Sequence, residues 1–294
     1  MADIQNAFTL IDPMNGNLAL KLIWFEDNSH FDHLQRNNYF SVIWIKEGSG
    51  KLKSDYSEYT FDEDTLLAFT PYQPFMLSSD KKLGGVAIQF HPDFFCIHKH
   101  HKEVSCSGIL FDNIYHPPYV KVDAISAGTF NIMINQIKAE MRNNALAQYE
   151  ILVSYLKIFL ITASRLKSEQ QTIERLPDNE NKEPYILHDL KEAIEAHFKT
   201  KHSASDYANM LNISAKALAR ITKTHFNKTI SNLIAERIVI EAKRELYLTH
   251  KPIKEIAYEL GYEDEYYFSR FFKTNADVSP QLYRDTVGYD RASA

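Results

Sequence analysis

Two stretches near the C-terminus repeat each other at a spacing of about 50 residues: SDYANMLNISAKALARITK from Ser205 and KEIAYELGYEDEYYFSRFFK from Lys254. Each places an Ala (Ala208, Ala257) three residues before a Leu (Leu211, Leu260). A turn residue (Asn212, Gly261) and an apolar one (Ile213, Tyr262) follow, and then a helical pattern containing an Arg (Arg220, Arg270). A small Ala lets two helices approach, Gly or Asn accepts a left-handed turn, and a buried residue after the turn fixes the crossing. The pattern predicts two helix-turn-helix units, at about 205–226 and 253–275, joined by a long helix over Ile230–Thr249. No strand-like alternation appears from 185 to 285, so an all-α domain over 185–294 is expected.

Steps of 100° per residue divide the second helix of each unit into two faces. Tyr267, Phe268, Phe271 and Phe272 turn inward with Tyr262, while Glu265, Tyr266, Ser269, Arg270 and Lys273 turn outward. In the first unit Ala217, Leu218, Ile221 and Thr222 turn inward, and Lys216, Ala219, Arg220 and Lys223 turn outward.

The runs RIVIEAKREL from Arg237, IKEIAYELGY from Ile253, YFSRFFK from Tyr267 and VSPQLYR from Val278 resemble the DNA-binding region of the AraC/XylS family of bacterial transcription regulators. The resemblance covers roughly 100 residues, about a third of the chain. It implies a sequence-specific DNA-binding regulator and no enzyme, with two recognition helices entering successive major grooves of double-stranded DNA. Arg220 and Arg270 are then the base-reading candidates, because a guanidinium can bond two acceptors on guanine. Glu265 suits a cytosine amino group, Tyr266 a thymine methyl or a phosphate, and Lys216, Lys223 and Lys273 phosphates; Ala219 and Ser269 lie on the same faces. The helix starts near Ser205 and Asp264 are expected to present backbone N–H groups to the duplex. Family members usually carry Gly after each recognition helix, where this chain has Asn227 and Asp277, residues that tolerate left-handed geometry.

Ahead of this region lies a differently patterned half. From 17 to 92, runs rich in Val, Ile, Phe, Tyr and Trp alternate with turn signals such as EGSG at 47–50 and PYQP at 71–74. Seven or eight antiparallel strands are expected, in a small barrel or jelly roll. Helical spacing follows over Asp123–Arg142 and Leu146–Lys167, and the second stripe is wide enough for Tyr155, Leu156 and Phe159 to pair with a second copy. The fold class is therefore α+β multidomain. A cupin-like antiparallel β-barrel with two following helices, for sensing and dimerisation, occupies 1–167, and the polar, Pro-flanked stretch 168–184 reads as a linker. For this half the family resemblance is one of layout.

The formal net charge of −5 is unevenly spread. Residues 182–294 hold 17 basic and 16 acidic groups, leaving 16 of the chain's 33 basic and 22 of its 38 acidic groups to the rest. DNA affinity must then come from local placement of charge. Two cysteines without a CxxC spacing suggest neither a disulfide framework nor a zinc knuckle. The acidic residues in Met1–Leu20 and the lack of a long apolar run point to a cytoplasmic protein that engages no membrane.

The alternative is a metal-dependent cupin-type enzyme with an accessory helical domain. His30 and His33 precede a strand without the HxH and following Glu that such a site needs, and His98 with His101 are read as exposed loop histidines rather than a metal pair. No cofactor is expected. Trp24, Trp44, Phe40, Tyr39 and Phe69 are candidates either for core or for the lining of a barrel cavity, and the ligand-binding residues are unknown. Expected partners are a small-molecule effector or a protein acting in its place, a second copy through the N-terminal domain, and RNA polymerase.

Overall fold

The computed structural model describes residues 6–13, 16–97, 109–143, 145–174 and 185–288. Its packing divides the chain into two compact units, Met1–Asn113 with Pro118–Gln171 and Ile114–Pro117 with Thr172–Ala294.

The first unit contains the strands β1 (Ala7–Ile11), β2 (Leu18–Phe25), β3 (Phe40–Glu47), β4 (Gly50–Ser54), β5 (Ser57–Phe61), β6 (Thr65–Phe69), β7 (Phe75–Ser78), β8 (Gly84–Phe90) and β9 (Tyr119–Lys121). They form two antiparallel sheets, one of six strands in the order β1-β2-β8-β3-β6-β9 and one of three in the order β5-β4-β7. The helices α1 (Ala124–Arg142) and α2 (Gln148–Glu174) follow.

Strand β3, FSVIWIKE, explains the layering. Its first six residues are all buried, because alternate side chains enter different cores. Phe40, Val42 and Trp44 join the cluster that includes Phe130, Ile134, Leu156 and Phe159 of the helices. Ile43 and Ile45 join Leu52, Phe75 and Leu77 of the smaller sheet. The large sheet thus lies between α1 and α2 on one side and the small sheet on the other. The five candidate cavity aromatics do not share one lining: Phe40, Trp44 and Trp24 belong to the helix-side cluster and Phe69 to the inter-sheet cluster. Trp44 meets Phe130 edge-on at 5.9 Å, and Lys138 of α1 covers Trp24 at 4.4 Å. Tyr39, just ahead of β3, is half-buried.

Two expectations need correction here. Leu156 and Phe159 are 0% and 1% exposed, with Phe159 packed on Phe130 at 4.7 Å, so they are core residues that a partner cannot reach. The wide stripe of α2 is explained by burial within its own unit. The half-buried Tyr155 sits at the edge of that stripe and directs its hydroxyl at Gln136 Oε1 (3.5 Å). Second, residues 168–174 are the last turns of α2 rather than linker. The Gln and Glu residues of this segment favour a helix. Gln170 also exchanges hydrogen bonds with the Lys121 backbone, accepting from its N–H at 3.2 Å and donating to its carbonyl at 2.7 Å. Residues 175–184, His98, His101 and Cys106 lie outside the described residues, and Cys96 is buried.

The second unit contains α3 (Tyr185–His197), α4 (Ala204–Met210), α5 (Ala215–Phe226), α6 (Ile230–Leu248), α7 (Ile253–Glu259), α8 (Glu265–Ala276) and α9 (Pro280–Val287). At its centre is α6, which buries Leu233, Ile234, Ile238, Val239, Ala242, Leu246 and Tyr247 around its circumference and contacts α5, α7, α8 and α9. Arg284 of α9 donates to the carbonyls of Leu246 and Lys251 at 3.2 and 2.8 Å, supplying partners for carbonyls at the end of α6 and just beyond it. Among the described residues no helix is long and apolar enough to cross a membrane.

Candidate nucleic-acid interface

The repeat seen in the sequence becomes a repeat of turn geometry. After α7, Gly261 takes φ +81°; its N–H bonds the Tyr258 carbonyl at 3.0 Å, and Tyr262 N–H bonds the Ala257 carbonyl at 2.9 Å. After α4, Asn212 takes φ +52°; its N–H bonds Asn209 at 3.1 Å, and Ile213 N–H bonds Ala208 at 3.0 Å. Both are the paired bonds of a Schellman stop, which satisfies the last helix carbonyls and turns the chain sharply. Gly261 is doubly constrained, because a Cβ there would lie 2.1 Å from the Lys199 carbonyl oxygen. The symmetry extends past the second helices: Asn227 (φ +55°) and Asp277 (φ +62°) both take the left-handed conformation after α5 and α8.

Residues fifty apart on α5 and α8 have matching environments. Leu218 and Phe268, Thr222 and Phe272, and Phe226 and Ala276 are buried pairs. Lys216 and Tyr266, Arg220 and Arg270, and Lys223 and Lys273 are exposed pairs. Ala219 is exposed, whereas Ser269 and Glu265 are half-buried. The structure therefore brings Lys216, Ala219, Arg220 and Lys223 to one face of α5, and Tyr266, Ser269, Arg270 and Lys273 to one face of α8 with Glu265 at its first position. Lys223 also reaches its own helix end, donating to the Asn227 carbonyl at 3.4 Å.

The two faces differ in charge. α5 carries Lys216, Arg220 and Lys223 and has no carboxylate. On α8, Arg270 and Lys273 follow the acidic triplet Glu263, Asp264 and Glu265. The helix starts are also less open than expected. Ser214 accepts from Ala217 N–H at 3.1 Å, Asp264 accepts from Tyr266 N–H at 2.7 Å, and α4 begins at a capping box between Ser203 and Asp206. These side chains occupy N–H groups that would otherwise face an anion.

One residue on α8 is not where periodicity puts it. Tyr267, expected in the core, is 58% exposed. It is the third residue of the helix, and the aromatic packing beneath it is carried by Tyr262, Phe268, half-buried Phe271 and Phe272. A 100° step sees only direction, and the first turn of a helix has no preceding turn to be covered alongside.

A charge cluster around one buried carboxylate ties this frame together. The Glu241 carboxylate on α6 accepts from Arg237 and Arg244, each at 3.2 Å, and lies 3.5 Å from Lys199 Nζ ahead of α4. Arg237 also donates to Glu195 of α3 at 2.8 Å. Burial pushes the Glu241 carboxyl up, but Arg237, Arg244 and Lys199 outweigh it and hold the group below the ordinary glutamate range. At the other end of α6, Lys251 bonds Glu245 (3.1 Å) and Glu259 (2.6 Å), joining α6 to α7. Among the described residues no group of three or more His, Cys, Asp or Glu side chains is placed to hold a metal ion.

Parts of this chain are similar to known proteins. The helix-turn-helix domain family matches residues 207–286, which span both helix pairs and α9. The raffinose operon transcriptional regulatory protein RafR of Pediococcus pentosaceus is 30% identical over 95 residues, 32% of this chain and 34% of that protein. The regulatory protein SoxS of Escherichia coli K12 is 32% identical over 99 residues, 34% of this chain and 92% of SoxS. The crystal structure of ToxT from Vibrio cholerae O395 covers 96% of each chain at 15% identity, with a TM-score of 0.39. The match to RafR thus spans about a third of that protein's length.

The charge cluster yields a stability prediction. Glu241→Gln leaves its cations without their shared carboxylate and is expected to cost about 2 kcal/mol at neutral pH. Because the Glu241 pKa is depressed on folding, its contribution is full above the ordinary value of 4.5 and is lost as pH falls through the lower folded value. Denaturant unfolding, followed by hydrogen exchange of α6 amides, should show the gap between wild type and variant narrowing below that pH. A gap unchanged with pH would mean that the carboxylate charge is not what holds the cluster.

Proposed function

The chain belongs to the AraC/XylS family of transcription regulators, DNA-binding proteins rather than enzymes, and from that premise we propose that α5 and α8 are its two recognition helices, set in successive major grooves with α6 between them. The observation that carries this reading is the paired exposure of Arg220 with Arg270 and of Lys223 with Lys273, over buried partners at the same spacing. Arg220 and Arg270 read bases, and Lys216, Lys223 and Lys273 hold phosphates. Glu265 accepts from a cytosine amino group, and Tyr266, 74% exposed, packs on a thymine methyl or meets a phosphate. Ala219 and Ser269 lie close against the duplex. The unopposed cations and small residues of α5 suit anchoring, whereas the mixed charge of α8 suits discrimination, since carboxylates repel phosphate unless a base donor meets them.

The β-rich unit, in this reading a cupin-like sensing domain, takes a small molecule or a protein partner and conveys regulation. It also dimerises. The face we assign to the second copy is made of Ile125 and Ile132 on α1, seven residues apart, and Ile151 and Ile158 on α2, seven apart again. Ile132 is 65% exposed and the Tyr155–Gln136 contact joins the two helices. Such matched spacing aligns an apolar stripe along each helix. The regulator works in the cytoplasm, where DNA and RNA polymerase are available to it.

Selection of bound sequences from random DNA at moderate salt tests the DNA reading. Two short preferences about one helical turn apart are expected. Arg270→Ala should relax one base pair and cost about 1–3 kcal/mol, while Lys273→Ala should weaken every sequence and lower the salt slope by about one. Enrichment of no motif would refute specific recognition, and the reverse pattern for the two variants would mean that the face is rotated. For the dimer, Ile132→Glu combined with Ile158→Glu should give a folded monomer by light scattering. An unchanged mass would remove this face from the interface.

A further inference from the structure

Tyr267 is solvent-exposed yet held in place from below. Its ring lies 5.8 Å from that of Tyr262, tilted by 38°. Tyr262 is 6% exposed and packs against Phe268 and Phe271, each at 5.3 Å, and against His202 at 5.0 Å. Its N–H is fixed in the turn after α7. One turn beyond Tyr267 on α8, the guanidinium carbon of Arg270 sits 5.9 Å from the Tyr267 ring centroid. Helical side chains lean towards the N-terminus, so residue i+3 naturally settles over residue i. Arg270 is otherwise turned to solvent, and the Tyr267 ring is the contact that orients its guanidinium.

We propose that Tyr267 is a positioning residue for base readout: its ring, clamped to the core through Tyr262, holds the Arg270 guanidinium in the orientation that reaches the base edge. The proposal rests on α8 being a recognition helix. A long arginine loses rotamer freedom when it binds, and a contact that restricts it beforehand lowers that cost. The attraction between a guanidinium and an aromatic face supplies such a restraint without competing for the N–H donors that the base requires.

The chain carries its own control. Arg220 holds the equivalent place on α5, and three residues before it stands Ala217, which offers no ring. The first unit thus has the same reading group without the restraint, and discrimination is concentrated in the second.

The test uses the full chain and its selected DNA site, with variants at the base pair assigned to Arg270, measured by fluorescence anisotropy. Tyr267→Ala should reduce discrimination at that base pair about two- to fivefold, the range of an exposed cation–π contact. Tyr267→Phe should retain it, and Tyr267→Leu, which keeps apolar cover on Tyr262, should lose it as Ala does. In an Arg270→Ala background, Tyr267→Ala should have no further effect on preference. Uniform weakening on all sequences, or a change in preference that persists without Arg270, would overturn the positioning role in favour of a phosphate contact or direct reading by Tyr267. If Arg270→Ala itself leaves every base-pair preference intact, the failure lies in the recognition-helix reading and the positioning role falls with it.

Discussion

The helical unit depends on one helix being wrapped on all sides. α6 is 19 residues long, about 28 Å at 1.5 Å per residue, and it buries apolar side chains around its circumference together with the carboxylate of Glu241. Such a helix is stable only when neighbours cover each face, and α5, α7, α8 and α9 do so. A buried carboxylate is costly unless cations meet it. Arg237, Arg244 and Lys199 therefore fix the side of α6 that faces α3 and the start of α4, while Lys251 and Arg284 fix its far end. The positions of α5 and α8 follow, because each is attached to α6 through its buried face and held at its start by a Schellman turn.

The other unit solves a different packing problem with similar means. Its central strands are apolar on both faces because each has a core to fill, helices above and a second sheet below. That arrangement commits α1 and the wide stripe of α2 to the sheet. What remains outside is the narrower set of isoleucines, spaced by seven, that we assign to a second copy.

The two turns were legible in the sequence because they are local: Ala, Leu, then Gly or Asn, then an apolar residue specifies a helix stop through backbone bonds within six residues. The long helix and both outward faces were legible for the same reason, through periodicity. Three things were not. Leu156 and Phe159 have the pattern of an interface, but periodicity does not say whether a stripe is covered by its own chain or by another. The helix over 168–174 was hidden by polar composition, since its support comes from Gln170 bonding a strand 49 residues away. Tyr267 shares its angular sector with core residues yet sits in the first turn and is 58% exposed.

If α6 is a rigid spacer, the distance between the two base-pair preferences on DNA is set by the protein and not by the duplex. The direct measurement is affinity for a selected site whose two preferred segments are moved apart by two base pairs, compared with the parent site at the same salt. A rigid spacer predicts that one helix loses its contacts and affinity falls about tenfold or more, as expected when a good bidentate base contact is lost. Equal affinity for both sites would contradict the account, because it would mean that α5 and α8, as the recognition helices we propose, are not held by a common frame.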